Sequence, residues 1–258
     1  SMSLHLKPFC ARKFTQIPVF VLTLGSLFLG LTASSAAAHE YWIEPEAFHV
    51  KPGAKVALAL LVGQNFKGER QPYIAETSER FVAVDGNGPR PIRAVSGDDP
   101  AGTVTIADPG LTVIGYHSRK YPLRFDTLAE FERYLRLEGL DRLLDAARKR
   151  HTARGLIFEQ YERCAKTLLA GPDISHAPPD RTLGLPLELI AETNPYRLGP
   201  DRQLRVRLLY RGNPLAGALV KAFNQTDPSQ PLEARTDGDG RATFTFARSG
   251  PWLVSAVH

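Results

Sequence analysis

Two antiparallel β-sandwich domains with a helical insert between them are what the sequence predicts, a mainly β fold class that rests on three observations. Short apolar runs bounded by Gly, Pro, Asn and Asp fill residues 39–125. From Asp126 onward the apolar residues recur at a helical period. Turn-bounded apolar runs then return in 181–258. Strand-length runs punctuated by turn residues are the signature of antiparallel sandwiches, and a change of period inside one chain marks an insert.

Ahead of these domains stands a secretory leader, residues 1–38. Lys7, Arg12 and Lys13 precede an apolar run at 17–33, which leads into Ser34-Ser35-Ala36-Ala37-Ala38. Positive, then apolar, then small residues is the order of a cleavable signal peptide. The run is shorter than the roughly 20 apolar residues of a membrane span, and no second such run follows. The expectation is therefore a Sec-type exported, periplasmic protein with no stable membrane insertion after cleavage. Removing 1–38 takes away three basic residues and no acidic one, so the formal charge of +5 falls by three. With no cluster of Lys and Arg interleaved with aromatics, the sequence offers no nucleic-acid-binding face.

The N-terminal sandwich, 39–125, is expected to contain strands at 54–62, 81–84, 103–107 and 111–118. The last of these, LTVIGYHS, is apolar at nearly every position, which places it centrally in a sheet. Gly115 within it marks a close approach by another group. The insert and linker, 126–180, begin with Thr127 and Glu130 spaced as a capping box. Helical spacing runs through Leu128, Phe131, Tyr134 and Leu135, breaks at Gly139, resumes to the basic run Arg148-Lys149-Arg150, and restarts at 156–170. A Pro-rich link, 172–179, follows. The C-terminal domain, 181–258, carries expected strands at 204–210, 218–224, 242–247 and 252–257. Its spacing is Ig-like or transthyretin-like: the strand GNPLAGALV at 212–220 and the hairpin TDGDG at 236–240 resemble bacterial surface and periplasmic modules. Because it stops directly after a strand, and exposed edges are usually covered, this domain is expected to be truncated.

Of the two cysteines, Cys10 leaves with the leader and Cys164 remains on what reads as a buried helical stripe, a packing role common for free Cys. Six histidines stay in the processed chain: His39, His49, His117, His151, His176 and His258. His49 is expected to face water, and His151 to be a solvated cation at a helix C-terminus. Cleavage after Ala38 makes His39 the first residue, where an α-amine of reference pKa near 7.7 and an imidazole near 6.5 lie side by side. Both are metal donors once deprotonated. His117 and His258, each ending an apolar strand, are the candidate partners, so the expected metal site is His39, His117 and His258. Glu40 and Glu44 read as surface charges. No P-loop, G-x-S-x-G or C-x-x-C is present, and no catalytic set is expected.

The segments His39-Glu-Tyr-Trp-Ile-Glu-Pro45, Gly115-Tyr-His-Ser118, Tyr161-Glu-Arg-Cys-Ala-Lys166, Gly184-Leu-Pro-Leu-Glu188, Thr193-Asn-Pro-Tyr196 and Gly250-Pro-Trp-Leu-Val-Ser-Ala-Val-His258 together resemble periplasmic proteins of a domain-of-unknown-function family described as nickel or cobalt uptake transporter components. The resemblance spans nearly the whole processed chain. It implies a non-enzymatic, transition-metal-binding accessory that holds or delivers Ni(II) or Co(II), with Cu(II) as an alternative, for a membrane metal-uptake permease. It also implies a chain that continues past His258. Two other readings compete. One is a copper histidine-brace oxidase or monooxygenase, which shares a terminal His but works from a flat aromatic face not seen here. The other is a metal-free, adhesin-like binding module, which needs neither a free N-terminus nor His117.

Overall fold

The computed structural model describes residues 2–12, 40–152 and 154–258. Residues 13–39, which carry the apolar part of the expected leader, its cleavage sites and His39, lie outside the described residues. The strands, in chain order, are β1 (Met2–Arg12), β2 (Glu40–Pro45), β3 (Lys55–Gln64), β4 (Lys67–Gln71), β5 (Ser78–Asp85), β6 (Gly88–Pro91), β7 (Gly102–Thr105), β8 (Leu111–Ser118) and β9 (Tyr121–Phe125). Helices α1 (Leu128–Leu137) and α2 (Leu144–Arg150) follow. Then come β10 (Ile157–Ala170), β11 (Leu187–Ala191), β12 (Gln203–Tyr210), β13 (Asn213–Pro214), β14 (Leu219–Asn224), β15 (Leu232–Arg235), β16 (Arg241–Thr245) and β17 (Gly250–Val257).

The protein is mainly β, built from several sheets with a short helical segment. The widest sheet has the order β15-β14-β17-β1-β10-β8-β5-β6, with β9 also paired to β10. A four-stranded sheet of β11, β12, β13 and β16 and another of β2, β3, β4 and β7 complete the β structure. Strands from both ends of the chain meet in the wide sheet, so its core is not divided along the sequence. On one of its faces Leu111, Val113, Cys164, Leu168, Val254 and Ala256 pack against β11, β12 and β16. On the other, Phe81, Ile114, Tyr116, Ala165 and Leu169 pack against Tyr41, Ile43, Leu58 and Leu60 of β2 and β3.

Alternation explains how one strand serves both cores. In β8, Leu111 and Val113 enter the first core while Ile114 and Tyr116 enter the second, because successive side chains of a strand point to opposite faces. This is the central strand that its continuous apolar run predicts. Gly115 is bare because Leu183 lies where its Cβ would stand.

Two expectations are corrected. The stretch 156–170 is not a third helix: it forms the long strand β10. Cys164 is buried there as expected, but in a strand whose residues from Cys164 to Ala170 are all buried. A run apolar on both faces carries no periodicity that separates strand from helix, and the spacing of Ile157, Tyr161, Cys164 and Leu168 imitated a helical stripe. Glu40 is not a surface charge either. It is buried, and its carboxylate accepts a hydrogen bond from the Phe66 amide at 3.0 Å. That amide belongs to the β3–β4 turn, where Asn65 and Phe66 adopt positive φ, the backbone form a tight two-residue hairpin requires.

The helical segment starts as its sequence predicts. Thr127 accepts from the Glu130 amide at 3.1 Å, while the Glu130 side chain reaches back one residue past the cap to the Asp126 amide at 2.9 Å. Phe131, Tyr134 and Leu135 of α1 bury against Phe125 and Ile157. His151, at the end of α2, is partly buried: it sets its ring edge against Phe131, and burial, then Arg150, lowers its pKa.

Candidate functional site

β10 changes partner midway. Its first half pairs with β9, from Ile157 opposite Phe125 to Tyr161 opposite Tyr121, and its second half pairs with β8, from Cys164 opposite His117 to Ala170 opposite Leu111. Between Tyr161 and Cys164 the ladder is completed by a side chain: Ser118 Oγ accepts from the Arg163 amide at 2.8 Å. Polar residues collect at this junction because neither neighbouring strand covers it fully.

Two clusters flank the junction on opposite faces of the sheet. On the face shared with Cys164, His117 Nε2 lies 3.2 Å from Glu162 Oε2, and the two side chains are 17% and 18% exposed. An imidazole and a carboxylate at that distance, reachable from solvent, are a proton-transfer pair or two donors for a borderline metal ion. On the other face the Arg163 guanidinium lies 4.9 Å from the ring centre of Tyr121, 5.0 Å from Tyr41 and 5.5 Å from Tyr161. Its Nη2 donates to the Tyr161 hydroxyl at 3.2 Å, while its buried Nε finds no hydrogen-bond partner among the described residues. Tyr41 and Tyr116 stand 5.2 Å apart, ring to ring. Burial raises the pKa of both, that of Tyr41 well above the usual phenol value. These phenols are neutral hydrogen-bonding groups, and the guanidinium between the rings gains cation–π attraction.

Two residues beyond Cys164 on β10, Lys166 points into a buried ion cluster. Its ammonium reaches Glu188 at 2.9 Å, Asp180 at 3.1 Å and the Arg181 carbonyl at 2.9 Å. Glu188 also accepts the amides of Leu183, Gly184 and Leu185, and Asp180 those of Arg181 and Ala191. With every donor and acceptor engaged, this cluster is a fastener between β10 and the 180–191 segment. Beside it an open cleft of about 600 Å³ is lined by Pro179, Asp180, Glu192, Arg205 and Arg241 among others. There the Glu192 carboxylate is held by Arg205 at 3.0 Å and Arg241 at 2.9 Å, so the charges of the cleft answer one another.

Of the three histidines expected to form a metal site, His39 lies outside the described residues. His117 stands at the junction with Glu162. His258 lies elsewhere: its Nδ1 is 3.0 Å from Arg142 Nη2, its ring is 4.4 Å from that of Tyr210, and burial, then Arg142, lowers its pKa. Among the described residues no group of three His, Cys, Asp or Glu side chains is gathered closely enough to hold a metal ion. His49 and His176 are exposed. Sequence reasoning missed Glu162, Arg163 and the Lys166 cluster. Read as a strand, YERCAK alternates Glu162, Cys164 and Lys166 on one face with Tyr161, Arg163 and Ala165 on the other, and that alternation was the available signal.

No curated protein matches the chain. Among solved structures it is similar, at 12% identity and a TM-score of 0.21, to a mutant of Salmonella alpha-2-macroglobulin; the match covers 92% of this chain and 16% of that one. The sequence profile of a domain of unknown function, DUF4198, matches residues 36–258. The chain belongs to the DUF4198 family.

Proposed function

We propose that the protein is a periplasmic transition-metal-binding accessory that holds or delivers Ni(II) or Co(II) for a membrane uptake transporter, and that its two packing layers are two sandwiches fused through one wide sheet. The observation that carries the metal reading is the His117–Glu162 pair: nitrogen and oxygen donors within 3.2 Å, partly open to solvent, at the junction where β10 passes from β9 to β8. Imidazole and carboxylate are donors that Ni(II), Co(II) and Cu(II) accept. Export and cleavage after Ala38 add the amine and ring of His39 to the inventory of donors in the processed chain.

Isothermal calorimetry with Ni(II) on a chain beginning at His39 tests this. His117→Ala and Glu162→Gln are each expected to weaken binding at least tenfold, about 1.4 kcal/mol, whereas His49→Ala and His176→Ala leave it unchanged. Cu(II) is expected to bind more tightly than Ni(II), following the Irving–Williams order, so tight copper binding alone does not identify the cargo. Unchanged Ni(II) affinity in both His117→Ala and Glu162→Gln removes the pair from any metal site.

A further inference from the structure

β1 lies between β10 and β17, antiparallel to the first and parallel to the second. β10 and β17 therefore run antiparallel to each other, one strand apart. The registers fix their rows. Phe9 is opposite both Arg163 and Val257, Leu6 both Lys166 and Val254, and His5 both Thr167 and Leu253. Position 10 is opposite Glu162, so His258, the residue after Val257, falls in the row of Glu162.

The faces agree as well. Trp252, Val254 and Ala256 enter the same core as Cys164 and Leu168, and His258 and Glu162 continue those two alternations. His117, opposite Cys164 and bonded to Glu162, is on that face too. All three side chains thus belong to one face of one sheet, with His117 and Glu162 on one side of β1 and His258 on the other. Two strand spacings of about 4.8 Å hold the His258 backbone about 10 Å from that of Glu162.

Met2–Arg12 falls within the segment expected to be lost on export. Its removal leaves two facing rows of backbone N–H and C=O groups without partners, and such groups inside a protein demand new ones. Here the two rows are antiparallel and in phase, so they can meet without the one-residue slip that would turn every side chain to the wrong face. We propose that in the processed protein β10 and β17 pair directly, and that this pairing carries His258 to the His117–Glu162 pair to complete a three-donor site for a divalent transition metal. The inference rests on the metal-binding reading above and names its third protein donor.

The pairing is tested apart from the metal. Direct pairing sets Ala256 opposite Cys164, the one cysteine of the processed sequence. Ala256→Cys in a chain beginning at His39 is then expected to form a disulfide with Cys164 under mild oxidation. Directly opposed strand residues lie about 4.5–5.5 Å apart at Cα, within the 4.4–6.8 Å that a disulfide spans, and residues two strands apart do not. The full chain carrying Ala256→Cys and Cys10→Ser is expected to stay reduced. Hydrogen exchange on the unsubstituted processed chain provides the second readout, with the amides of β10 and β17 protected throughout. A folded processed chain that forms no crosslink and exchanges freely along β10 and β17 overturns the pairing. For the metal, His258→Ala in the processed chain is expected to weaken Ni(II) at least tenfold. If His117→Ala weakens Ni(II) and His258→Ala does not, this inference falls while the metal-binding reading stands. If the processed chain binds no Ni(II), both fall.

Discussion

Lys166 and Glu188 form an ion pair at 2.9 Å in which the side chains are 1% and 2% exposed, and with Asp180 they bind β10 to the segment that leads into β11. Breaking such a group by removing one partner strands charge in the interior, at a cost of about 3–5 kcal/mol. Lys166→Met, similar in volume, leaves two buried carboxylates without their cation. It is expected to lower the stability measured by urea denaturation by that amount, or to prevent folding. A loss under about 1 kcal/mol, the worth of an exposed pair, contradicts a buried structural role.

The same cluster decides where proteases enter. The Pro-rich link at 172–179 looks open in sequence, but the Arg181 amide donates to Asp180 and its carbonyl accepts from Lys166. Arg150 and Arg154 have no such anchorage and are exposed. Brief trypsin treatment followed by mass mapping is expected to show cleavage after Arg150 or Arg154 before any cut after Arg181, since cleavage concentrates where backbone is free to leave the fold.

Two glycines separate hard from soft steric limits. A Cβ at Gly63 meets the Lys67 carbonyl oxygen and the Gly68 backbone across the β3–β4 hairpin. At Gly115 it meets only the tip of Leu183, a side chain that can turn aside. Gly63→Ala is expected to cost about 1–3 kcal/mol as an overpacked site, and Gly115→Ala distinctly less. Equal shifts of the thermal midpoint in the two variants would count against this account.

Acid sensitivity is expected in the helical segment. Arg148, then Arg136, hydrogen-bond the Glu132 carboxylate and hold its pKa down to about 2, from an ordinary 4.5. A carboxyl lowered in the folded state contributes stability that is present above its unfolded value and lost as pH falls toward the folded one. Stability should therefore decline between about pH 4.5 and about pH 2 in the parent protein. Glu132→Gln should flatten that part of the profile. Denaturation curves through this range, parent against variant, provide the check.

The β elements were largely legible from sequence because turn chemistry is local. The strand limits at β8, β12 and β14, the Thr127 cap and the break at Gly139 follow from residues within a few positions of one another. β10 was not legible. Its Cys164–Ala170 half is buried on both faces, and Cys164, Ala165, Leu168, Leu169 and Ala170 put apolar side chains on both of them, a spacing that fits either period. With β10 misread, Glu162 and Lys166 carried no facing direction, and the junction with its His117–Glu162 pair stayed hidden although His117 itself stood out.

What the sequence determined by itself is therefore the β class, the placement of most strands and turns, the capped helix and the histidines available as donors. Each depends on backbone preferences and periodicity within one short segment. Only the tertiary structure decided that strands from both ends of the chain share one sheet, that Glu162 stands beside His117, and that Lys166 is a buried cation. These are contacts between residues 14 to 45 positions apart, or across the length of the chain, and they depend on which strands pair and in what register. Register turns on the packing of whole faces, a property that no single segment carries.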